Sequence, residues 1–204
     1  MIAIIQSQPL NLVRLKAFQL GILKYSSQCQ KYDTDFIKSD DGFVTVYTDG
    51  ACINNGKDGA KAGIGVWFNH NHPLNTSAPV EGLATCNNAE IQAARMAICQ
   101  AHKVNVRNIV IFTDSQFVIN CITNWIYKWK RNNWRLAGGG KVKNKDELIK
   151  LHCAIKQMDS VKWTYVAGHS GTVGNEMADS LARKGAELYQ DVKCESKGVN
   201  IKEE

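Results

Sequence analysis

Five short apolar stretches predict β-strands, because their apolar and polar positions alternate or their apolar runs are only a few residues long. The predicted strands are 43–48, 64–69, 76–82, 109–113 and 161–166. A turn rich in Gly, Asn and Lys at 50–63 separates the first two strands. We therefore expect the first three strands to pair in an antiparallel arrangement.

Helical spacing of apolar residues predicts helices between the later strands. The first helix has its apolar residues at Ile91, Ala94, Ile98 and Ala101. Asn87 and Asn88 are candidates for its N-terminal cap. The other predicted helices are 115–127, 144–158 and 174–188. Since a return after a helical crossover favours parallel pairing, the pattern predicts an α/β fold with a mixed five-stranded sheet flanked by helices.

Length and composition bound the class of protein. The chain has 204 residues, of which 44% are hydrophobic, so it can bury one sizeable core. No apolar run approaches the roughly 20 residues that cross a bilayer, and we expect no membrane partner. The predicted domain is 42–189, preceded by an extension at 1–41 and followed by a tail at 190–204.

The N-terminal extension is basic and carries no acid before Asp33. Its amphipathic stretch from Leu10 to Leu23 favours a mitochondrial presequence, whereas its low content of Arg and Ser favours a disordered extension. The seven cysteines form no CxxC pair, which argues against a zinc site or a disulfide framework and favours a reducing compartment. We therefore expect an intracellular protein, with nucleus, cytoplasm and mitochondrion all open.

The net charge of +6 is concentrated in one segment. No acid occurs from Ser115 to Lys145, where seven basic residues are interleaved with Trp125, Trp129 and Trp134. Basic groups attract phosphates, and aromatic faces pack on sugars or bases. The segment favours polyanion binding; the alternative is a solvated helix face with core tryptophans.

Four acids occupy positions that suggest metal chemistry. Asp49 and Asp114 are expected at the ends of neighbouring strands, each followed by a turn-former, Gly50 or Ser115. Glu90 can point to the same place from the start of its helix, and Asp179 lies on the last helix.

Clustered carboxylates repel one another, so at least one should titrate high until divalent cations neutralise them. Oxygen ligands select magnesium or manganese, and two such ions could activate water against a phosphodiester. Singly, each acid has an ordinary alternative as a turn or cap residue or, for Asp179, as the ion-pair partner of Arg183.

The order and spacing of several motifs resemble the cellular type 1 ribonuclease H family across residues 42–189. The motifs are Tyr47-Thr48-Asp49-Gly50, Asn88-Ala89-Glu90-Ile91, Thr113-Asp114-Ser115, Gly168-His169-Ser170-Gly171 and Gly174-Asn175-Glu176-Met177-Ala178-Asp179. Separately, the stretch from Ile122 to Trp134 is similar to the basic protrusion of that family.

The resemblance implies an RNase H-like fold and endonucleolytic hydrolysis of the RNA strand of an RNA–DNA hybrid, which leaves 5′-phosphate and 3′-hydroxyl ends. It implies that Asp49, Glu90, Asp114 and Asp179 hold two Mg²⁺ ions, with Mn²⁺ as a possible substitute. His169 would assist proton transfer or product departure. The expected partner is a hybrid duplex bound by a monomer, and the biological hybrid (primer, R-loop or organelle transcript) stays open.

The same resemblance assigns substrate contacts. Six positions match contacts to the RNA 2′-hydroxyls: Cys52, Asn54, Asn55, Asn87, Glu90 and Gln116. Those that match the channel for the DNA strand are Phe117, Trp125 and Trp129, and those of the DNA-phosphate pocket are Thr85 and Asn144. Each of these residues has a structural alternative as a turn former, strand end or core residue.

Four residues depart from the family pattern: Leu83, Cys86, Asn88 and Ala137. Residues 1–41 also lack the pattern of the separate hybrid-binding domain found in many eukaryotic members. The four departures predict a weaker grip on phosphate or a relaxed substrate geometry, and the missing pattern in residues 1–41 predicts limited processivity. They leave open two other hypotheses, a hybrid-binding module without turnover and a DNA nuclease of the same fold.

Overall fold

A mixed sheet and its flanking helices make up residues 35–190, the part of the chain that this computed structural model describes. The strands are β1 (Val44–Ile53), β2 (Lys61–Trp67), β3 (Thr76–Pro79), β4 (Asn108–Thr113) and β5 (Ser160–Tyr165). The helices are α1 (Cys86–Lys103), α2 (Gln116–Asn120), a π-helical turn (Cys121–Trp125), α3 (Ile126–Arg131), α4 (Lys145–Ile155) and α5 (Val173–Glu187). Nearly all of the predicted N-terminal extension and C-terminal tail lies outside the described residues.

The strand order is β3-β2-β1-β4-β5. β1, β2 and β3 pair in an antiparallel arrangement, whereas β4 pairs parallel to both β1 and β5. The predicted α/β fold, with three antiparallel strands followed by two parallel ones, is therefore confirmed. The largest fully buried side chains include Val46, Val66, Ile91, Ile98, Ile109, Ile111, Leu148 and Leu151.

Helices α1 and α5 lie close against the sheet because glycine leaves room for them. A Cβ on Gly50 of β1 would overlap the α1 backbone at Ala89 and Glu90. A Cβ on Gly63 or Gly65 of β2 would overlap the α5 backbone. In the pairing of β1 with β2, Gly50 lies opposite Ile64, which stands between Gly63 and Gly65. Successive residues of a strand face opposite sides of a sheet, so Gly50 is on one face and Gly63 and Gly65 are on the other. The helices α1 and α5 therefore cover opposite faces of the sheet.

The prediction that Asp49 ends the first strand and that Gly50 opens a turn was wrong. β1 continues to Ile53 because its second half pairs with β2, where Asp49 lies opposite Gly65. The turn comes later and begins at Asn54, whose φ is +54°. Gly50 is needed for the close approach of α1 and not for a turn.

The predicted cap of α1 was also wrong. The helix begins at Cys86, and its N-cap is Thr85, whose side-chain oxygen accepts from the Asn88 amide nitrogen at 3.3 Å. Asn88 is buried, and its side-chain amide donates to the carbonyls of Glu81 and Leu83. Threonine is among the residues preferred at the N-cap, and the buried side-chain bonds of Asn88 commit that residue to the interior of the helix.

The helix predicted at 115–127 is not continuous. Ser115 caps α2, and the chain then widens into the π-helical turn before α3 extends to Arg131. Thr123 lies in that turn, and its hydroxyl donates to the Ile119 carbonyl at 2.7 Å. Such a back-bond competes with the helical amide for the carbonyl, which favours a local change of helical geometry.

The packed unit begins before the predicted boundary at residue 42. Phe36 is buried, and its ring lies 5.6 Å from Phe68 and 4.7 Å from His72 between centroids. Asp41 pairs with Lys162 of β5. Within residues 35–190, no helix combines the length and apolar character needed to cross a membrane.

Candidate active site

Three carboxylates from separate elements converge at one point. Asp49 lies within β1, Glu90 lies in α1, and Asp114 follows the last residue of β4. One side-chain oxygen of each lies within 4.8 Å of the other two. The close contact at Gly50 places Glu90 beside Asp49, and the parallel pairing of β1 with β4 places Asp114 beside both.

Asp179 lies on α5 at the edge of this group. Its carboxyl interacts with that of Asp49 and contributes to the raised pKa of Asp49. One of its oxygens also accepts from the Arg183 guanidinium at 2.9 Å. The two alternatives for Asp179, cluster member and helix ion-pair partner, are therefore both visible in the geometry.

The electrostatics of the cluster favour protonated or metal-bound carboxyls. Burial, followed by the charges of Asp114 and Asp179, raises the pKa of Asp49 to about 7, although a hydrogen bond from the Gly50 amide at 2.7 Å lowers it. Burial, followed by the charges of Asp49 and Asp114, raises the pKa of Glu90 well above its usual value. Glu90 Oε2 is buried without a hydrogen-bond partner among the described residues.

This donor set fits a hard divalent cation. It consists of carboxylate oxygens, which suit Mg²⁺ or Mn²⁺ better than softer metals. A cation would neutralise the repulsion between Asp49, Glu90 and Asp114 and would provide a partner for Glu90 Oε2. The metal roles predicted for the four acids thus agree with the chemistry of the site, and they stay predictions.

His169 lies on the loop between β5 and α5, ten residues before Asp179. It is exposed, and its φ is +52°. The neighbouring Gly168 lies against Asp114, because a Cβ there would be 2.9 Å from Asp114 Oδ2. The Ser170 hydroxyl donates to the Ala167 carbonyl at 2.7 Å and stabilises the loop.

The residues predicted to contact the RNA strand lie on three segments. Cys52, Asn54 and Asn55 lie at the end of β1 and in the following turn, and the Cys52 thiol contacts the Asn55 side-chain oxygen at 3.7 Å. The Cys52 thiol also contacts that of Cys86, which brings this segment to the start of α1, where Asn87 lies. Gln116 begins α2, two residues after Asp114. Except for half-buried Cys52 and Glu90, the predicted RNA-contact residues have exposed side chains.

Four aromatic rings form a row along α2, the π-helical turn, α3 and the segment that follows α3. Centroid distances are 6.3 Å for Phe117–Trp125, 5.7 Å for Trp125–Trp129 and 6.4 Å for Trp129–Trp134. Trp125 is 37% exposed, so part of the row is open to a ligand. The first three rings were predicted as DNA contacts, whereas Trp134 was noted only as part of the basic segment.

Asn144 lines a cavity of about 630 Å³ that lies between the segment before α1 and the start of α4. Leu83, Trp134 and Lys145 are among the other residues that line it. Thr85, the other predicted phosphate contact, is not among the described residues that line this cavity, and its side-chain oxygen caps α1. Leu83 is 71% exposed, so the departure from the family pattern lies on the surface beside this cavity.

Sequence reasoning missed a buried amide in the site. Asn175, in the first turn of α5, donates from Nδ2 to Asp114 Oδ2 at 3.4 Å and is 3% exposed. Asn175 belongs to the Gly174–Asp179 motif, and in the sequence only this motif could have indicated that it has a role in the site. Contact with a residue 61 positions away depends on how α5 packs against the sheet.

The strand order and the partly buried carboxylate cluster define the class as an α/β fold with an acidic site whose donors suit a divalent cation. The RNase H family model matches residues 41–187. The chain therefore belongs to the ribonuclease H family, and the resemblance to its type 1 members is confirmed.

Curated relatives agree with this assignment. The chain is 47% identical over 149 residues to Ribonuclease H1 of Homo sapiens, which covers 73% of this chain and 52% of that protein. It is 37% identical over 143 residues to Ribonuclease HI of Haemophilus ducreyi, which covers 70% of this chain and 90% of that protein. The chain spans about half the length of the mammalian relatives that it matches.

Solved structures show the same fold. LC9-RNase H1, described as a type 1 RNase H with the type 2 active-site motif, is 26% identical with a TM-score of 0.55, covering 70% of this chain and 71% of that one. The foamy viral protease-reverse transcriptase in complex with an RNA/DNA hybrid has a TM-score of 0.59 at 22% identity, covering 71% of this chain and 20% of that one. The second likeness concerns the fold alone.

Proposed function

We propose that this chain is an endonuclease that hydrolyses the RNA strand of RNA–DNA hybrids and leaves 5′-phosphate and 3′-hydroxyl ends. The observation that carries the proposal is the convergence of Asp49, Glu90 and Asp114 within 4.8 Å in a member of the ribonuclease H family. The exposed polar side chains and the aromatic row beside this cluster offer contacts for two different strands.

Asp49, Glu90, Asp114 and Asp179 would hold Mg²⁺, with Mn²⁺ as a substitute. When bound, two such ions supply an activated water and stabilise the leaving oxygen of a phosphodiester. The chain itself orients the carboxylates: the Gly50 amide donates to Asp49, and the Arg183 guanidinium donates to Asp179. Burial of Asp49 keeps bulk water away from this part of the site.

His169 is proposed to move a proton or to assist product departure. An imidazole nitrogen can donate or accept a proton, and the His169 side chain is exposed on its loop. The contact between Gly168 and Asp114 supports this role because it places the loop at the site.

Discrimination between RNA and DNA is proposed to come from side chains that reach the minor groove. That groove is wide and shallow in A-form duplexes and displays 2′-hydroxyls. Exposed amide side chains and the half-buried Cys52 thiol would bind these hydroxyls. The amide side chains are those of Asn54, Asn55, Asn87 and Gln116. The aromatic row would pack against deoxyribose, and Thr85 and Asn144 would contact a DNA phosphate.

Cleavage of an end-labelled RNA–DNA hybrid with Mg²⁺ tests the proposal. DNA duplex, RNA duplex and the Asp49→Asn variant serve as matched controls. We expect cutting of the RNA strand of the hybrid alone, and loss of cutting with retained hybrid binding in the variant. Binding without cutting by the natural chain would instead favour a hybrid-binding module, and cutting of the DNA duplex would favour a DNA nuclease.

A further inference from the structure

Asn175 is a buried polar residue whose side chain does not serve its own helix. It lies in the first turn of α5, where the N-cap Thr172 makes no side-chain cap bond. The side chain of Asn175 reaches across to Asp114 Oδ2, at 3.4 Å from Nδ2. Its own Oδ1 is buried with no hydrogen-bond partner within residues 35–190. Asparagine is a weak helix former, and a buried unpartnered acceptor is unfavourable, so stability of α5 does not explain this residue.

Gly168 lies close to the same oxygen of Asp114. A Cβ at residue 168 would lie 2.9 Å from Asp114 Oδ2, closer than side-chain carbons approach such atoms. The backbone of Gly168 does not have the positive φ found at Gly171, so its conformation does not require glycine. Space for the Asp114 carboxylate is therefore the reason that glycine suits this position.

Each of the other carboxylates in the cluster already has a group that orients it. The Gly50 amide donates to Asp49 and also interacts with Glu90, and Arg183 donates to Asp179. Asp114 follows the end of β4 and has no strand partner to fix it. The side-chain hydrogen bond that orients it, among the described residues, comes from Asn175.

We propose that Asn175 is a positioning residue, which together with Gly168 holds Asp114 Oδ2 so that this carboxylate faces the metal-binding cluster. The inference rests on the proposed function, because it assigns a role within that site. Carboxylates that bind metal are themselves hydrogen-bonded, and losing such an outer partner typically lowers metal affinity or activity by about 10–100-fold.

Two variants test the Asp114 clamp, that is, the hydrogen bond from Asn175 and the close approach of Gly168. Asn175→Ala removes the donor, and Gly168→Ala pushes on Asp114 without touching Asn175. Gln100→Ala is the matched control, since Gln100 also donates its amide to a side chain and has a buried, unpartnered Oε1. It lies ten residues beyond Glu90 on α1, roughly 15 Å along the helix axis.

The first readout is the midpoint of Mg²⁺ binding measured by isothermal titration calorimetry, which needs no catalysis. We expect this midpoint to increase about 10-fold or more in Asn175→Ala and in Gly168→Ala. Gln100→Ala should lower the melting temperature in chelator and leave the Mg²⁺ midpoint unchanged. The second readout is hybrid cleavage, where kcat should fall by about 10–100-fold while KM for the hybrid stays within about two-fold.

The outcomes separate this inference from the proposed function. If both variants keep the Mg²⁺ midpoint of the natural chain, the clamp is refuted, whatever the cleavage assay gives. If the midpoints rise but the natural chain cuts no hybrid, the clamp stands and the proposed function fails. An absence of any Mg²⁺ effect on the natural chain would overturn the positioning role together with the metal site.

Discussion

Replacing Asp49 by Asn should make the metal-free protein more stable at neutral and alkaline pH. Burial and the charges of Asp114 and Asp179 raise the pKa of Asp49 from 3.8 to about 7. Asn has the same shape and keeps an oxygen that can accept from the Gly50 amide, but it carries no charge. The substitution therefore removes an unfavourable buried ionisation and keeps the local hydrogen bond.

The size of the effect follows from the two pKa values of Asp49. Between about pH 4 and pH 7 the folded state holds a proton that the unfolded state has lost, so the free energy of unfolding falls as the pH rises. Above pH 7 the full difference applies, which at about 1.4 kcal/mol per pKa unit amounts to about 4 kcal/mol. Below pH 4 both states are protonated, and the difference vanishes.

Thermal unfolding in chelator at pH 4 and pH 8 measures this difference. At pH 8 the variant should melt well above the natural chain, by roughly 2–4 °C for each kcal/mol in a domain of this size. At pH 4, just above the unfolded pKa of 3.8, the difference should shrink to about 2 °C or less. Glu176→Gln is the control, because Glu176 is an exposed acid on α5 and its loss should change little at either pH.

Saturating Mg²⁺ should reverse the order, since the natural chain gains a bound cation and the variant loses a ligand. A variant that is no more stable than the natural chain at pH 8 in chelator would refute the reasoning. That result would mean that the Asp49 carboxyl is well solvated or otherwise compensated in the folded protein.

Three further predictions concern the interface and the packing. Replacing Lys128, Lys130 and Arg131 by Gln should weaken hybrid binding and flatten its salt dependence, measured by fluorescence anisotropy; unchanged affinity at low salt would contradict a binding role. Cys86→Asn should tighten hybrid binding in the same assay, and no change or a loss would show that the site suits cysteine. Gly65→Ala should lower the free energy of unfolding by about 1–3 kcal/mol, because a Cβ there overlaps the Ala178 carbonyl of α5. Denaturant titration with an unshifted midpoint would refute that packing argument.

The period of the apolar pattern predicted the sheet well because alternation depends on burial of one face, which is a local property. All five strands and the mixed pairing occur as expected. The errors lie where pairing with a distant segment decides the outcome. β1 runs through Gly50 because β2 pairs with it, and nothing within 43–53 distinguishes a turn glycine from one that admits a helix.

In the candidate site, too, the details that depend on packing between distant segments were missed. The convergence of Asp49, Glu90 and Asp114 was predicted from strand ends, yet only Asp114 lies at one. Asp49 reaches the cluster from the middle of a strand because α1 approaches at Gly50. The contact of Asn175 with Asp114 was not predictable, since it requires the position of α5 relative to β4.

The position of Asp49 within the strand has an energetic consequence that a position at the strand end would not have. Asp49 is 7% exposed. Helix α1 packs against the next residue of the strand, Gly50, and helix α5 packs against Gly65, which pairs with Asp49 across the sheet. A carboxylate at an open strand end would stay hydrated and titrate normally, whereas this one is unfavourable as an anion until a cation arrives. The burial that destabilises the metal-free site would therefore strengthen the proposed interaction with a divalent cation, and Asp49 would couple folding to metal binding.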